Sequence, residues 1–481
     1  MNISLIARYI GSILLLNALL MVGATVVSGC YGLDTAFFPL LLSAVITGMA
    51  GLAPLFFVKR NARISTREGY VVLFFAWLLS CLFGMLPYLL WGGEFNLINA
   101  WYESVSGFTT TGGTIVSEIE SLPHGLLFWR SATQWIGGMG VVLLMLIVLP
   151  EQSAARLRLS KMELSSLSKD YYQFKVQRIL RVIAWVYFGL TLAAFVSYML
   201  VGMGFFDALN HAFSTVATGG FSTKNQSINS FHNIGVEWVA MIFMLLAGMH
   251  FGLLYVAITG KSLNLFRSPV VRYYLVSLLV CGVLISLNLW WSGVASSFGE
   301  SFRLGIFQSI AMGTTTGFAT AGIALWPAFS LFLLIFLSIQ CACSGSTSGG
   351  IKADRLCIFW ISIGAQIRRQ LHPQAYVSVR IGGHNLDPDA VASVNLYIGL
   401  YLIVILVVSF ILSLFGLDMT DAFSASVAHM GNVGPGFGSA DGMSNYAHFS
   451  VMSKLMFCIE MLLGRLEIYG FIMIFFLHKW R

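Results

Sequence analysis

The stretch "NAWYESVSGFTTTGG" (99–113) decides how the rest of this chain is read. About ten half-polar residues of helical character, too few to cross a bilayer, run directly into a strip of Thr and Gly, with apolar runs on either side. One such strip has a simple explanation, since small residues let neighbouring helices approach closely. The same arrangement recurs, however, in "DALNHAFSTVATGG" (207–220), "LGIFQSIAMGTTTGF" (304–318) and "DAFSASVAHMGNVGP" (421–435). Set in common register, Thr110-Thr111-Gly112-Gly113 aligns with Ala217-Thr218-Gly219-Gly220, Thr315-Thr316-Gly317-Phe318 and Asn432-Val433-Gly434-Pro435. Every copy falls between two apolar runs, so the pattern is an internal repeat rather than a chance turn.

Composition gives the surroundings. Only 10% of residues are charged, against roughly 25% in soluble domains, and the mean hydropathy is +0.82. Apolar runs long enough to span a bilayer lie near 3–28, 36–58, 70–92, 125–149, 178–202, 234–259, 270–292, 326–343, 393–416 and 448–478, which predicts an all-α polytopic membrane protein. The net charge of +7 sits in alternate loops: Lys59, Arg60, Arg63 and Arg67, then 156–181, then Lys261, Arg267 and Arg272, then Lys352, Arg355, Arg368 and Arg369. Basic loops mark the cytoplasmic face, so both termini are expected inside and the charge is a topology signal, not a nucleic-acid footprint. The strips then lie on the opposite side.

A half-helix followed by extended backbone at membrane depth is tolerated only where protein buries it or a wet cavity receives it. Four equivalent copies are expected to converge on one axis: a pseudo-symmetric set of span, pore helix, strip and span around one pore, preceded by an extra N-terminal hairpin. The expected units are 1–60 for the hairpin, then 61–165, 166–265, 266–380 and 381–481. Rings of backbone carbonyls replace the water shell of a dehydrated cation, as in potassium-channel filters, and glycine allows successive carbonyls to turn to one side. No Asp or Glu occupies a strip, which favours a weakly hydrated monovalent ion. The ion-ligating residues expected on these grounds are Thr110, Thr111, Gly112, Ala217, Thr218, Gly219, Thr315, Thr316, Gly317, Asn432, Val433 and Gly434.

The ordered strips, with "SVSGFTTTGGT" (104–114), "WIGGMGVVLL" (135–144), "ATGGFST" (217–223), "GNVGPGFG" (431–438) and "MLLGRLEIY" (461–469), resemble the Trk/Ktr/HKT superfamily of potassium transporters, its bacterial TrkH branch above all. The resemblance covers essentially the whole chain. It implies K+ uptake across the bacterial inner membrane through one subunit that supplies all four pore quarters, within a homodimer, regulated by a cytoplasmic nucleotide-binding ring. In the family a Ser at the first filter glycine goes with sodium selectivity; glycine at all four aligned positions here favours K+. Ala217 and the pair Asn432-Val433 depart from a Thr-rich pattern.

After the eighth run the chain reads "CACSGSTSGGIKADR" (341–355). Glycines and serines here weaken the helix and predict a mobile loop, either a turn at the cytoplasmic surface or an element of the pore. The resemblance implies the second: an intramembrane gating loop built from Gly345, Ser346, Thr347, Ser348, Gly349 and Gly350. Arg465, deep in the last run, costs about 2.5–3.5 kcal/mol to insert unpaired. Glu460 and Glu467 offer it an ion pair, whereas the resemblance places it against the gating loop.

Asp207 and Asp421 are expected as helix N-caps, Glu103, His211 and His429 lie on the short helices, and His250 is expected as a packed, hydrogen-bonded side chain. Gln134, Trp135 and Gly137-Gly138 read as helix packing. Neither HExxH nor GxSxG occurs, so no enzyme is expected, and no GxGxxG within a βαβ pattern marks a nucleotide site. No cofactor is expected beyond the transported ion, and membrane lipid is the immediate partner. An ion-coupled K+ symporter, with H+ or Na+, is the competing reading; it would need a second site, for which His250 and Glu460 are the candidates.

Overall fold

A computed structural model of the chain describes residues 2–58, 66–148, 176–260, 266–375 and 377–475. The basic surface expected at 156–181 falls, as far as residue 175, outside the described residues, as do Lys59, Arg60, Arg63, Lys261 and the tail Lys479–Arg481. Regular secondary structure among the described residues is helical apart from a hairpin of two-residue strands, β1 (Arg380–Ile381) against β2 (His384–Asn385).

Helices α1 (Ile3–Cys30) and α2 (Phe37–Phe57) form the N-terminal hairpin. Gly11 and Gly51 bring them together: a Cβ on Gly11 would lie 2.6 Å from the Gly51 carbonyl oxygen, so any side chain there would force the pair apart. The first repeat follows as α3 (Thr66–Gly84), its short continuation α4 (Leu86–Trp91), the half-helix α5 (Leu97–Phe108) and the long α6 (His124–Val148). The second consists of α7 (Val176–Leu200), half-helix α8 (Phe205–Val216), α9 (Ile234–Ala247) and α10 (Phe251–Ile258). The third consists of α11 (Pro269–Trp291), half-helix α12 (Phe298–Gly313), α13 (Ala328–Gln340) and α14 (Ala353–Leu371). The fourth consists of α15 (Pro388–Leu414), half-helix α16 (Met419–Met430), α17 (Val451–Leu466) and α18 (Ile468–Phe475).

Among the described residues six helices are long and apolar enough to cross a membrane, or seven if the bent pair α9 and α10 is counted as one span. They turn large apolar side chains such as Phe56, Leu200, Trp291 and Leu414 outward, as a lipid solvent allows and water does not. Three of the ten expected spans are broken instead. The run 234–259 splits into α9 and α10, bent by 106°, where the His250 ring accepts the amide hydrogens of Gly252 and Leu253 and so starts a new helix. The run 326–343 yields only the 13 residues of α13, because Cys341 takes a left-handed φ of 59°. The last run breaks at Glu467, also at φ 59°. Hydropathy sees an unbroken apolar stretch in each case and is blind to these backbone reversals.

The half-helices start on side-chain caps where the sequence offers them. Asn96, Ser297 and Asp418 accept amide hydrogens of the first turns of α5, α12 and α16, whereas α8 starts on Gly204 without one. The N-cap expectation for Asp207 and Asp421 is therefore corrected. Both lie in the first turn, where an acidic group still suits the helix dipole, and each holds the chain returning from its own strip. Asp207 accepts from the Thr223 hydroxyl at 2.6 Å, and Asp421 from the Ser439 amide and hydroxyl at 2.7 and 2.6 Å.

What closes the structure is a cyclic packing rule. The helix that follows each strip lies against the half-helix of the next repeat: α6 on α8, α9 on α12, α13 on α16, and α17 back on α5. The last repeat thereby meets the first.

Candidate functional site

The four half-helices end identically in their backbone. At the end of α5, the amides of Thr109, Thr110 and Thr111 donate to the carbonyls of Val105, Gly107 and Ser106. The same three bonds are made by Ala217, Thr218 and Gly219 after α8, by Thr314, Thr315 and Thr316 after α12, and by Gly431, Asn432 and Val433 after α16. The second residue of each trio is left-handed, at φ 55° for Thr110, 53° for Thr218, 61° for Thr315 and 53° for Asn432. Two residues on, each strip has a glycine at positive φ: Gly112, Gly220, Gly317 and Gly434.

This corrects the sequence register in the second repeat by one residue. Ala217 is the counterpart of Thr109, Thr218 of Thr110, and the glycine equivalent to Gly112 is Gly220, not Gly219. Two adjacent glycines make the slip invisible to letter matching; only φ and the bonds at the helix end separate them.

The corrected glycines form a ring. A Cβ on Gly112 would fall on the carbonyl oxygen of Gly219, one on Gly220 on that of Thr316, one on Gly317 on that of Val433, and one on Gly434 on that of Thr111. Each glycine is thus open toward the preceding residue's oxygen in the next strip, and the four contacts close in the same order as the helix packing. The missing side chain is required twice over, by the close approach and by the positive φ.

On one side of this ring lies a cavity lined by Gly112, Gly113, Gly220, Gly317, Gly434 and Pro435, together with Asp441, Ser444 and Tyr446, the last of which donates to the Gly434 carbonyl at 2.8 Å. On the other side lies the loop 341–352. Its residues Ser346, Thr347 and Ser348 are buried and its hydrogen bonds run to the strips: the Thr218 hydroxyl donates to Thr347 Oγ1 at 3.1 Å, the Thr347 hydroxyl to the Val216 carbonyl at 3.1 Å, and the Gly349 amide to Thr315 Oγ1 at 3.3 Å. A Cβ on Gly349 would lie 2.6 Å from Asn432 Oδ1, and one on Gly345 2.6 Å from the His250 ring. Gly350, at φ 70°, sits so close to Cys341 that a side chain would meet its sulfur.

Arg465 reaches this loop from α17. Its guanidinium donates to the Thr347 carbonyl at 2.7 Å and to the Gly137 carbonyl of α6 at 2.8 Å. The two carboxylates that the sequence offers it, Glu460 and Glu467, are engaged elsewhere. Glu467 takes Arg355 at 2.9 Å, beside the cation–π contact of Arg355 with Tyr397, and Glu460 accepts from the Ser426 hydroxyl. Lys352 donates to the Ser348 carbonyl, and Ser344 is tied to Asp354 through both amide and hydroxyl. Two cations therefore hold loop carbonyls, while a carboxylate closes its neck.

Arg130 carries no motif, and the only sign of it in the sequence is a cation inside an apolar run, the same sign that singles out Arg465. It is 1% exposed, pairs with Glu103 at 2.8 Å and donates to the Ser222 carbonyl and Thr114 Oγ1 at 3.2 Å, with Phe221 stacked 4.1 Å away. Glu103 in turn accepts from the Ile115 amide at 3.1 Å. The pair braces the outer ends of the first two strips from behind, so Glu103 is committed to structure. His211 and His429 are similarly engaged, with Ser222 and with Tyr102. Gln134 also departs from the packing role expected of it: its amide donates to the Gly219 carbonyl at 2.6 Å and accepts from the Phe221 amide at 3.1 Å. Gly137 does pack as expected, a Cβ there falling on the Phe108 carbonyl.

Comparison with known proteins agrees with this architecture. Residues 40–479 match the family profile of TrkH, described as cation transport protein. The Trk system potassium uptake protein TrkH of Halomonas elongata is 32% identical over 489 residues, with all of both chains covered. The Trk system potassium uptake protein TrkG of Escherichia coli is 35% identical over 428 residues, 88% of this chain and 87% of that one. Among solved structures, the potassium transporter TrkH from Vibrio parahaemolyticus superposes with a TM-score of 0.89 at 29% identity, over 98% of each chain. This multi-pass membrane chain belongs to the TrkH family of cation transport proteins.

Proposed function

We propose that the chain is a K+ uptake pathway of the bacterial inner membrane: a selective, gated pore whose filter is the ring of strips and whose gate is the loop 341–352. One observation carries the reading. Four backbone strips, none with an acidic residue, close on one another through the glycine-to-carbonyl contacts of Gly112, Gly220, Gly317 and Gly434. Such a ring offers peptide dipoles, and dipoles without fixed charge suit a cation that gives up its water readily. The buried hydroxyl of Thr110, which has no protein partner among the described residues, is a further oxygen available to the ion. The half-helices point their carbonyl-bearing, partly negative ends at the same place. The names of the relatives, potassium uptake proteins of Trk systems, agree in cargo and direction.

The organisation that fits this reading is a hairpin followed by four pore repeats in one polypeptide, with both termini cytoplasmic. The word system in the relatives' names fits further components, which we take to be a second copy of the chain and a cytoplasmic nucleotide-binding ring. Entry of one cation gains about 2.3 kcal/mol per 100 mV of membrane potential, so no coupling ion is needed. The deciding measurement is uptake of radioactive rubidium into proteoliposomes, competed by K+, Na+ and Li+, with Na+ and pH gradients collapsed. Uptake that persists and is displaced by K+ far better than by Na+ is expected; uptake that requires either gradient would replace this reading with ion-coupled symport.

A further inference from the structure

The ring is not equally built in its four quarters. In strips one and three a pair of threonines stiffens the backbone: the hydroxyls of Thr109 and Thr111, and those of Thr314 and Thr316, lie 2.8 Å apart. The corresponding residues of strip two are Ala217 and Gly219, which offer no hydroxyl at all. The slot is nevertheless filled. The three atoms nearest a Cβ on Gly219 would all belong to the carboxamide of Gln134, its nitrogen and oxygen 2.9 and 2.6 Å away. Gln134 is fully buried, and both of its polar atoms are used on strip two, the nitrogen on the Gly219 carbonyl and the oxygen on the Phe221 amide.

We infer that Gln134 is the side chain strip two lacks, supplied from a neighbouring helix, and that it sets how sharply the ring discriminates K+ from Na+. The inference rests on the ring being the filter. A side-chain amide that bridges residues 219 and 221 fixes the spacing of one quarter as the hydroxyl pairs do in strips one and three. It also draws on the Gly219 oxygen, one of the four that face the ring glycines, so this quarter offers the ion a weaker and more rigid ligand. A smaller ion needs the ring to contract, and a quarter pinned from behind resists contraction. Gln134 is accordingly a positioning residue for selectivity and does not itself touch the ion.

The test compares rubidium uptake by the full-length protein in proteoliposomes with its inhibition by K+ and by Na+. Gln134→Leu leaves the Gly219 oxygen and the Phe221 amide buried without partners, and the Na+ concentration needed for half inhibition is expected to fall at least about five-fold while that for K+ moves little. A second variant rebuilds the quarter on the pattern of strips one and three: Ala217→Thr, Gly219→Thr and Gln134→Ala together, expected to return Na+ inhibition to the parent value. Gly220→Ser serves as the control for the ring itself. Parent-like selectivity in Gln134→Leu, with selectivity lost in Gly220→Ser, overturns the role of Gln134 and leaves the filter standing. Parent-like selectivity in both removes the filter, and this inference with it. If Gln134→Leu does not fold, the triple variant decides: parent-like discrimination upholds the inference, and weakened discrimination overturns it.

Discussion

The guanidinium of Arg465 and the carbonyl of Thr347 are 2.7 Å apart, although 118 residues separate them in the chain. The bond ties the helix after the last strip to the loop that packs on the second and third. A charge-assisted hydrogen bond of this kind contributes about 1.5–3 kcal/mol, and Arg465 makes a second to Gly137.

Replacing Arg465 by Ala removes both bonds along with a fixed positive charge in the path proposed for the ion. Rubidium flux into proteoliposomes should rise about tenfold or more. Unchanged flux would reduce Arg465 to a structural tie.

Gly349 lies between the proposed gate and strip four of the proposed filter. Its substitution by Ala puts a methyl group against Asn432 Oδ1 and the Gly431 carbonyl, 2.6 and 2.7 Å from the new carbon, and so pushes the loop off strip four. Flux should increase while the ratio of K+ to Na+ inhibition stays at the parent value. A changed ratio would mean that the loop shapes the ring as well as blocking it.

The register correction makes the two glycines of strip two unequal. Gly220→Ala combines positive φ with a collision at the Thr316 carbonyl, and should abolish K+-selective uptake in a protein that still inserts. The atoms nearest the methyl of Gly219→Ala belong to the Gln134 side chain, which gives way more readily than backbone, and this variant should retain uptake at a fraction of the parent level. Equal losses, measured side by side in the same vesicles, would return Gly219 to the ring.

Breaking the buried pair of Arg130 and Glu103 by Arg130→Met leaves a carboxylate without its cation, which typically costs about 3–5 kcal/mol. The detergent-solubilised protein should lose its monodisperse elution peak at temperatures the parent withstands. Adding Glu103→Gln should recover part of that loss but not all, since the bonds of Arg130 to Ser222 and Thr114 stay broken. Full recovery would mean that the pair matters only as a pair.

Much of this molecule is legible in its letters because the repeat writes the same backbone four times. The half-helices stand where the strips locate them, and the loop at 341–352 breaks a helix where Gly and Ser accumulate. Legibility fails where a neighbour from far along the chain makes the decision. The double glycine at 219–220 hides a one-residue shift that only φ resolves. Gln134 reads as an ordinary helix residue until strip two comes to lie against it. Arg130 announces its cost, as any cation in an apolar run does, but not that Glu103, 27 residues away, is the partner that offsets it. The break at Glu467 is unreadable for a related reason: it is a left-handed residue whose side chain disfavours that conformation, held there by packing that hydropathy cannot represent.

Because α17 returns to α5, one polypeptide supplies all four sides of the ring. A tetramer of identical subunits would receive every sequence change in quadruplicate. Here a single codon alters one wall while three keep their shape, so that under the proposed function conductance and ion preference are open to adjustment in small steps, wall by wall.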